Sequence, residues 1–515
     1  MSIDEKVEIF KKYLDRTNME HKPYQIEGIR WCLNKELETH TSTTPSQPAQ
    51  KCSGGFIADE MGLGKTILMI GLMVSNMQLK TLIILPPILI EQWHNQIKKT
   101  TGHNALIYCG KNKKTTTLDV LNKSPIVISS YYTLNTKVNI LTQVEWNRIV
   151  FDEAHYMKNH KTKIYKNCNK LQSKIKWLVS GTPIQNKLKD FYNLCAILNL
   201  SKETIADREK IKDYILKRTK KQVGINIPDL NIKIKEVYWK SSKEEDLARE
   251  LHGYLNKHIN TQSNKIINAL LMKYTKPLPI LLRARQSCVY PKMLSKCFDN
   301  LIEEEFIEDY HEYKEALTNN SKIDKIIQEI HKNKDNDKGK IVFCNFRDEI
   351  DVMEIKLLEL GIKKIGKIDG RKNKKLREKV LSEDNDVLLL QIQCGCEGLN
   401  LQEKYSEVYF VSPPWNKAIE EQAIARCHRI GQQKPVNVYK FEMTGFKNQT
   451  ETDRQTETDR QTETDRQTET DRQTETENQT EDNQTETENQ TGRSTDIYIR
   501  NIQERKMEKI NKFMA

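Results

Sequence analysis

A glycine-rich stretch, GLGKT from Gly62 onward, has the composition of a phosphate-binding loop. It follows the apolar run GFIAD and precedes the apolar run ILMIGLMV, an order that predicts strand, turn and helix. Gly62 and Gly64 let the backbone pass close to a phosphate. Lys65 can reach the β- and γ-phosphates, and the Thr66 hydroxyl can ligate Mg²⁺. The chain has Asp59 where the general loop pattern has a glycine.

A second stretch places two adjacent carboxylates at the end of an apolar strand. The run RIVFDEAHYM contains Asp152 and Glu153, with His155 close behind. A carboxylate at a strand end that faces a phosphate loop can hold Mg²⁺, and its neighbour can orient or deprotonate an attacking water. An isolated pair of this kind is usually a solvated turn. Because the pair occurs in the same block as the glycine-rich loop, the two motifs together predict nucleotide hydrolysis.

The stretch ARCHRIGQ, residues 425–432, permits two kinds of chemistry. Cys427 and His428 are metal-ligand types, whereas Arg426 and Arg429 suit a phosphate. None of the 11 cysteines lies in a C-x-x-C pair, and zinc fingers need two such pairs. Reduced thiols are therefore favoured, and we expect no zinc.

Length and composition predict a protein of several domains with a polyanionic partner. The chain has 515 residues, with 37% apolar and 30% charged, and domains of roughly 100–200 residues suggest two to four of them. No apolar run approaches the ~18–20 residues that cross a bilayer, and the start resembles no secretory signal, so we expect a soluble intracellular protein without a membrane partner. The net charge is +12, or +22 without residues 449–491. Such a basic body fits nucleic acid, although a generally lysine-rich composition would also produce it.

The elements that must position these motifs form two blocks of short apolar strands separated by helical segments. This pattern predicts an α/β fold with parallel sheets flanked by helices. We expect an N-terminal ATP-binding lobe over 1–200, a mostly helical insertion over 201–320, a C-terminal lobe over 321–446, an acidic tract over 447–493 and a final helix over 494–515.

The acidic tract repeats the hexapeptide QTETDR four times from Gln449 and then decays. The repeat contains no apolar residue and cannot bury a core, so we expect it to be disordered. Helical spacing of apolar residues follows it, and Ser494 or Thr495 is a suitable cap. The tract is therefore predicted to be an insertion before a helix.

The motifs together resemble helicase superfamily two, and the longer matches resemble its Swi/Snf-type DNA-dependent ATPase branch. The stretches that carry the resemblance are YQIEGIRW at 24–31, DEMGLGKT at 59–66, LIILPPILIEQWHNQI at 82–97, ISSYYTL at 128–134, DEAH at 152–155, WLVSGTPIQNKLKDFYNL at 177–194, ILKRTKKQV at 215–223, KIVFCNFRDEID at 340–351, QIQCGCEGLNL at 391–401 and EEQAIARCHRIGQQKPVNVYKF at 420–441. The resemblance implies two RecA-like lobes around an active site that is complete only when they close. It also implies that the final helix, over 494–515, is the brace helix that follows the last helicase motif in the family.

The resemblance also assigns roles to residues. It implies that ATP is bound by Gln25, which reads adenine, and by Met61, Gly62, Leu63, Gly64, Lys65 and Thr66. The implied catalytic residues are Lys65, Asp152, Glu153, Arg426 and Arg429, with Mg²⁺ on Thr66 and Asp152. His155, Gln422 and Gly398 are expected to couple the site to lobe motion. Arg426 and Arg429, at i and i+3 on a helix, would stabilise charge on the γ-phosphate, an effect on the order of 10³–10⁵ in rate. The cysteine and histidine between them then have no metal role.

Contacts to DNA are expected along the backbone of the duplex and without base readout. The resemblance suggests Trp93, Ser130, Asn345 and Trp415 for these contacts, although a core position suits Trp415 equally well. The run LLRARQSCVYPKML at 281–294 resembles the DNA-repair subgroup, but the chain has no RING cysteine pattern.

The leading interpretation is an ATP-driven translocase on double-stranded DNA that remodels nucleosomes or other DNA-bound proteins in chromatin, repair or transcription. The alternatives are a strand-separating helicase, a virus-type transcription-termination ATPase and a catalytically silent DNA-binding scaffold, against which the intact motifs argue. We expect a nuclear location, or a viral factory or cytoplasm if the chain is viral.

Overall fold

The computed structural model describes most of the chain outside the acidic tract. The described residues are 1–37, 53–136, 139–181, 188–253, 264–395, 399–446 and 494–514. The hexapeptide repeat and Gly398 lie outside them. Within the described residues the chain forms two parallel sheets flanked by helices, which confirms the predicted fold class. None of the described helices has the length and apolarity to cross a membrane.

The first sheet lies in the N-terminal lobe, with the strand order β3-β4-β2-β5-β6-β1-β7. Its strands are β1 Ser53–Ile57, β2 Thr81–Leu85, β3 Leu106–Tyr108, β4 Ile126–Ser130, β5 Trp146–Asp152, β6 Ser173–Val179 and β7 Ile215–Leu216. Leu82 and Ile84 belong to the apolar core on one face, whereas Ile83 and Leu85 belong to the core on the other. This division follows from the alternation of side chains along a strand, and it explains why the strands are continuously apolar.

Helices cover both faces of this sheet. They are α1 Ile3–Arg16, α2 Pro23–Leu37, α3 Lys65–Ser75, α4 Ile90–Thr101, α5 Asn112–Thr115, α6 Leu118–Lys123, α7 Lys163–Asn169, α8 Leu188–Ile197, α9 Lys202–Ala206 and α10 Arg208–Lys212. Helix α3 follows β1 directly through the glycine-rich loop, and β5 ends at Asp152. Because the carboxyl ends of parallel strands share one edge, the loop and the carboxylates meet there.

The second sheet has the order β10-β11-β9-β12-β13-β8. Its strands are β8 Leu230–Val237, β9 Gly339–Cys344, β10 Ile365–Ile368, β11 Val387–Gln391, β12 Tyr405–Phe410 and β13 Val436–Met443. The helices α16 Ser321–Lys332, α17 Arg347–Glu359, α18 Lys374–Ser382, α19 Ile392–Gly395 and α20 Lys417–Ile424 accompany it.

The segment predicted as a helical insertion contains strands of both sheets. Strand β7 pairs with β1 of the first sheet, and β8 pairs with β13 of the second. The intervening helices are α11 Ser242–His252, α12 Lys265–Lys273, α13 Pro277–Val289, α14 Ser295–Glu303 and α15 Lys314–Thr318. They share a core of their own that includes Leu270 and Phe298. Strand β8 was missed because Lys alternates with exposed Ile along it, as suits an edge strand.

A last helix, α21 Thr495–Met514, is anchored on the second lobe. The Ser494 hydroxyl donates to the Met443 carbonyl at 2.6 Å, so the chain returns beside the end of β13. The fully buried Lys322 ammonium lies 2.5 Å from the carboxylate of Asp496. Further along, Met507 packs against the apolar core of the first lobe. Helix α21 therefore touches both lobes.

Candidate active site

The glycine-rich loop has the backbone of a phosphate cradle. Gly62 and Gly64 have φ values of 92° and 83°, which favour glycine, and α3 begins immediately afterwards at Lys65. A Cβ on Gly64 would lie 2.6 Å from Nε2 of Gln25, so a side chain there would have to displace the Gln25 amide. Gln25 donates from this nitrogen to the Leu63 carbonyl at 3.2 Å. Gln25 thus supports the loop from behind, and its reading of adenine stays a prediction.

The Lys65 ammonium lies over the loop and donates to the Asp59 carbonyl at 2.8 Å. Burial lowers the pKa of Lys65, and the nearby carboxylates of Glu153 and Asp152 oppose that shift. Lys65 lines the cleft, where the oxygens of a bound phosphate would be stronger hydrogen-bond acceptors for its ammonium than the Asp59 carbonyl is.

Asp59, the departure from the general loop pattern, is buried and forms an ion pair with Arg218. The Arg218 guanidinium donates to both carboxylate oxygens, from Nε at 3.0 Å and from Nη2 at 2.5 Å. It also donates to the Tyr24 carbonyl and lies 5.3 Å from the centre of the Tyr24 ring. The sequence analysis did not assign this role to Arg218. An aspartate where the loop pattern has a glycine, together with an arginine beyond the predicted end of the first lobe, could have indicated the pair.

The carboxylate of Asp152 is held by two donors. The Trp93 indole donates to Oδ2 at 2.7 Å, and the backbone N–H of Glu153 donates to Oδ1 at 3.0 Å. Burial raises the pKa of Asp152 to about 7, the charge of Glu153 adds to that rise, and the Trp93 bond opposes it. A cation beside Asp152 would favour the ionised form.

Glu153 has φ of 50°, a left-handed conformation that turns the chain out of β5. Its Oε2 lies 3.2 Å from Nδ1 of His155. Burial works to raise the pKa of Glu153, but His155, Lys65 and Arg426 outweigh it and hold the pKa below its usual value. His155, which was expected to couple the site to lobe motion, therefore lies beside Glu153, and Glu153 is the more readily ionised of the two carboxylates.

The two arginines do not lie on a helix, contrary to the prediction. Helix α20 ends at Ile424, and Arg426 and Arg429 lie in the turn that follows. The Arg426 carbonyl accepts from the backbone N–H of Leu401 at 3.1 Å, and the N–H of Arg429 donates to the Cys427 carbonyl, so the backbone bonds here are not those of a continued helix. The Arg429 guanidinium donates to the Asn400 side chain, a residue that sequence reasoning did not single out.

Residues from both lobes line one cleft. From the first lobe these are Met61, Gly62, Gly64, Lys65, Thr66, Leu89, Gln92, Trp93, Asp152 and Glu153, and from the second they are Asn400, Ala425, Arg426 and Arg429. The structure thus brings together every residue that was predicted to be catalytic. Thr66 and Asp152 share the cleft, and a hydroxyl with a carboxylate is an oxygen donor set that suits Mg²⁺.

The residues between the arginines do not fit a zinc site. The Cys427 thiol is buried in the apolar core of the second lobe, which raises its pKa to about 12. A thiol of this kind is not a thiolate ligand at neutral pH. Nε2 of His428 bonds to the Pro228 carbonyl at 3.0 Å.

Comparison with protein families agrees with this geometry. Residues 24–338 match the SNF2-related domain, and residues 321–431 match the helicase conserved C-terminal domain. The chain belongs to the SNF2-related family. The two sheets are accordingly the RecA-like lobes of an SNF2-type core.

Three relatives illustrate the range of the family. An uncharacterised ATP-dependent helicase of Mycoplasma pneumoniae is 28% identical over 84% of this chain and 42% of its own length. The ATP-dependent DNA helicase DDM1 of Arabidopsis thaliana is 25% identical over 81% of this chain and 58% of its own. A probable global transactivator of Orgyia pseudotsugata multicapsid polyhedrosis virus is 27% identical over 83% of this chain and 86% of its own.

The chain spans 42% and 40% of the two mycoplasma helicases that it matches. Among solved structures, the SWI2/SNF2 ATPase core of Sulfolobus solfataricus in complex with double-stranded DNA is 23% identical. The match covers 83% of this chain and 88% of that one, with a TM-score of 0.37.

Two of the residues suggested for DNA contact have other roles in the structure. Trp93 is 1% exposed and bonds to Asp152, so it belongs to the active site. The buried Ser130 hydroxyl pairs with that of Thr133 at 2.8 Å, and this leaves it no access to a DNA backbone. Both assignments are therefore wrong, because the two side chains are buried on the inner sides of the helix and strand that carry them.

Asn345 and Trp415 are connected through Ser412 and Arg285, because the Arg285 guanidinium donates to the Ser412 hydroxyl at 3.0 Å. Asn345 donates to the Ser412 hydroxyl at 2.9 Å, and the Arg285 guanidinium lies 5.8 Å from the centre of the Trp415 ring. Trp415 is half-buried, and its DNA contact stays a prediction.

The coupling residues differ in where they lie. His155 contacts Glu153, whereas Gln422 is buried in α20 and is not among the residues that line the cleft. Gly398 lies outside the described residues.

Proposed function

We propose that this chain hydrolyses ATP with Mg²⁺ in the cleft between its lobes and uses the resulting lobe motion to move along double-stranded DNA. The observation that carries the proposal is the convergence of Lys65, Asp152 and Glu153 from one lobe with Arg426 and Arg429 from the other. These residues lie far apart in the sequence, and a purely structural role would not explain why all of them line one open cleft.

The geometry supports a division of labour among these residues. The N-terminus of α3 and Lys65 bind the β- and γ-phosphates, since free amides and an ammonium both favour the anion. Thr66 and Asp152 would hold Mg²⁺, which neutralises phosphate charge when bound. Glu153, with the lower pKa, orients and deprotonates the attacking water.

The arginines complete the site from the second lobe. Their guanidinium groups stabilise negative charge on the γ-phosphoryl oxygens as it develops. Because they reach the cleft only when the lobes are close together, hydrolysis and lobe separation are coupled. A repeated cycle of closing and opening, with each lobe holding the DNA backbone, moves the protein along a duplex.

Two observations support duplex DNA and its bound proteins as partners. The chain outside residues 449–491 has a net charge of +22, which suits a phosphate backbone. Several relatives are named as DNA helicases or chromodomain helicases, and a viral relative of similar length is named a probable global transactivator. On this proposal the protein remodels nucleosomes or other protein–DNA complexes, in a nucleus or a viral compartment.

Steady-state ATP hydrolysis is the test. It is measured without nucleic acid and then with duplex DNA, single-stranded DNA or RNA, beside a Lys65→Ala variant. We expect strong stimulation by duplex DNA that the variant lacks. Hydrolysis driven by single strands or RNA, but not by duplex, would overturn the duplex translocase. No hydrolysis under any condition would favour the silent scaffold.

A strand-separating helicase is the second candidate, because relatives carry the name ATP-dependent helicase. Unwinding of a tailed duplex distinguishes it from a translocase, which would instead displace a third strand from a triplex. We expect displacement of the third strand without unwinding.

A further inference from the structure

The segment between the two sheets, residues 217–229, connects the lobes covalently and also contacts both halves of the active site. At its start it runs beside the residues that lead into the phosphate loop. The backbone N–H groups of Ala58 and Glu60 donate to the carbonyls of Leu216 and Arg218 at 2.7 and 2.9 Å. This extends the pairing of β1 with β7 as far as the loop.

Lys220 lies where this segment passes between the lobes. Its backbone N–H donates to Oε2 of Glu60 at 2.8 Å, and its ammonium lies 3.0 Å from Oε1 of the same carboxylate. The same ammonium donates to the His428 carbonyl at 3.2 Å, within the arginine turn of the second lobe. One side chain, 8% exposed, therefore joins the phosphate loop to the turn.

The methylene groups of the Lys220 side chain also lie where the phosphate loop of the first lobe approaches the arginine turn of the second. A Cβ placed on Gly62 would lie 3.5 Å from Cε of Lys220 and 3.7 Å from Cβ of Arg429. The loop backbone at Gly62 thus lies against both the Lys220 stem and the arginine turn. Moving the turn away would leave the ammonium with Glu60 alone.

The far end of the segment is fixed to the same turn. The Pro228 carbonyl bonds to the His428 ring, and the Asp229 carbonyl accepts from the backbone N–H of Val436 at 2.9 Å. The segment is consequently bound to the loop at one end and to the second lobe at the other. This makes the Lys220 contact sensitive to the distance between the lobes.

We propose that Lys220 is a positioning residue that ties the arginine turn to the phosphate loop and so sets Arg426 and Arg429 for hydrolysis. The inference rests on the proposed ATPase function. Lys220 does not touch the reacting atoms. It acts by stabilising the arrangement in which the arginines enter the cleft, and couplings of this kind are typically worth ~5–150-fold.

The test compares Lys220→Met, which keeps the stem and loses the charge, with Lys220→Arg and with Lys221→Met. Lys221 is the exposed neighbour and serves as the matched control. We expect Lys220→Met to lower kcat by about tenfold or more with KM for ATP within about threefold, because the coupling acts after nucleotide binding. Lys220→Arg should retain most of the activity, and Lys221→Met all of it.

A binding measurement separates positioning from a structural role. ADP affinity should be unchanged in Lys220→Met, whereas the affinity of ADP with aluminium fluoride, which mimics the transferring phosphoryl group, should fall by about tenfold. A wild-type kcat in Lys220→Met, or an equal loss of ADP affinity, would overturn the inference. If Lys220→Met does not fold, Glu60→Gln is tested instead, because it removes the carboxylate that pairs with Lys220. An unchanged kcat in Glu60→Gln would contradict the proposed tie between the phosphate loop and the arginine turn.

Failure of the proposed function looks different from failure of this inference. A wild-type protein that hydrolyses no ATP contradicts the ATPase. In that case the aluminium fluoride measurement alone decides whether Lys220 joins the two halves.

Discussion

The two halves of the cleft are built in different ways. In the first lobe the reactive side chains are held by hydrogen bonds to neighbouring elements of the same lobe. The Trp93 indole donates to Asp152, and the Lys65 ammonium donates to the Asp59 carbonyl. In the second lobe Arg426 and Arg429 lie in a turn, held by backbone bonds and by Asn400. The first half is therefore preorganised to bind a nucleotide, whereas the second half depends on where its lobe lies. Binding and hydrolysis should respond to different substitutions.

The largest difference is expected for Arg426→Ala. Loss of a charge-stabilising arginine should lower kcat on the order of 10³-fold or more, while ADP affinity stays within about threefold. Arg371→Ala is the matched control, because Arg371 pairs with Asp351 and Asp369 away from the cleft. An ADP affinity that falls as far as kcat would show that the two halves are not separate.

The next largest effect is expected at the contact between α21 and the intervening helix α11, which ends at His252. Nε2 of His252 accepts the backbone N–H of Thr495 at 2.9 Å, which requires a neutral ring, and burial lowers the pKa of His252 to about 4. The unfolded chain, with a histidine pKa near 6.5, binds the proton first, so stability falls as the pH drops from 6.5 towards 4. Between pH 6.5 and 5 this contribution is about 2 kcal/mol.

Urea unfolding of the wild-type protein and of His252→Gln at these two pH values measures this effect. The wild-type free energy of unfolding should fall further than that of the variant, by the stated amount. Equal pH dependence of the two proteins would remove His252 as the source.

A smaller effect is expected for Trp93→Phe in the first half. An aromatic ring remains, although a smaller one, but the Asp152 carboxylate loses a buried donor, which costs roughly 1–3 kcal/mol. We expect kcat to fall by about tenfold and the pKa of Asp152 to rise. Trp146→Phe is the control, since Trp146 also loses one indole hydrogen bond, to the Leu141 carbonyl, in the same lobe. An equal fall in both variants would point to general loosening of the lobe.

The smallest effect is expected from deletion of residues 449–491. The contacts that anchor α21 come from Ser494, Thr495 and Asp496, and all of them lie beyond the deletion. Thermal unfolding and duplex-stimulated hydrolysis should therefore change little. A large loss of either would give the acidic repeat a structural or regulatory role.

Much of the site was visible in the sequence. The loop from Gly62 to Thr66 and the pair Asp152 and Glu153 are local motifs, because a strand end and a helix start position neighbouring residues directly. The prediction was wrong where position depends on distant partners. Trp93 was assigned to DNA although it bonds to Asp152, and Arg426 was placed on a helix that ends before it.

The α/β class, the two nucleotide motifs and the residue types that phosphate chemistry requires can be read from the amino-acid sequence, since each is set by short-range periodicity and spacing. The side chains that hold the site in place can be identified only in the folded molecule. The Arg218–Asp59 pair, the Asn400 contact and the Lys220 bridge to His428 join residues that are far apart in the chain. No local pattern encodes such contacts, because the first two form only when distant segments of one lobe fold together, and the third forms only when the two lobes meet.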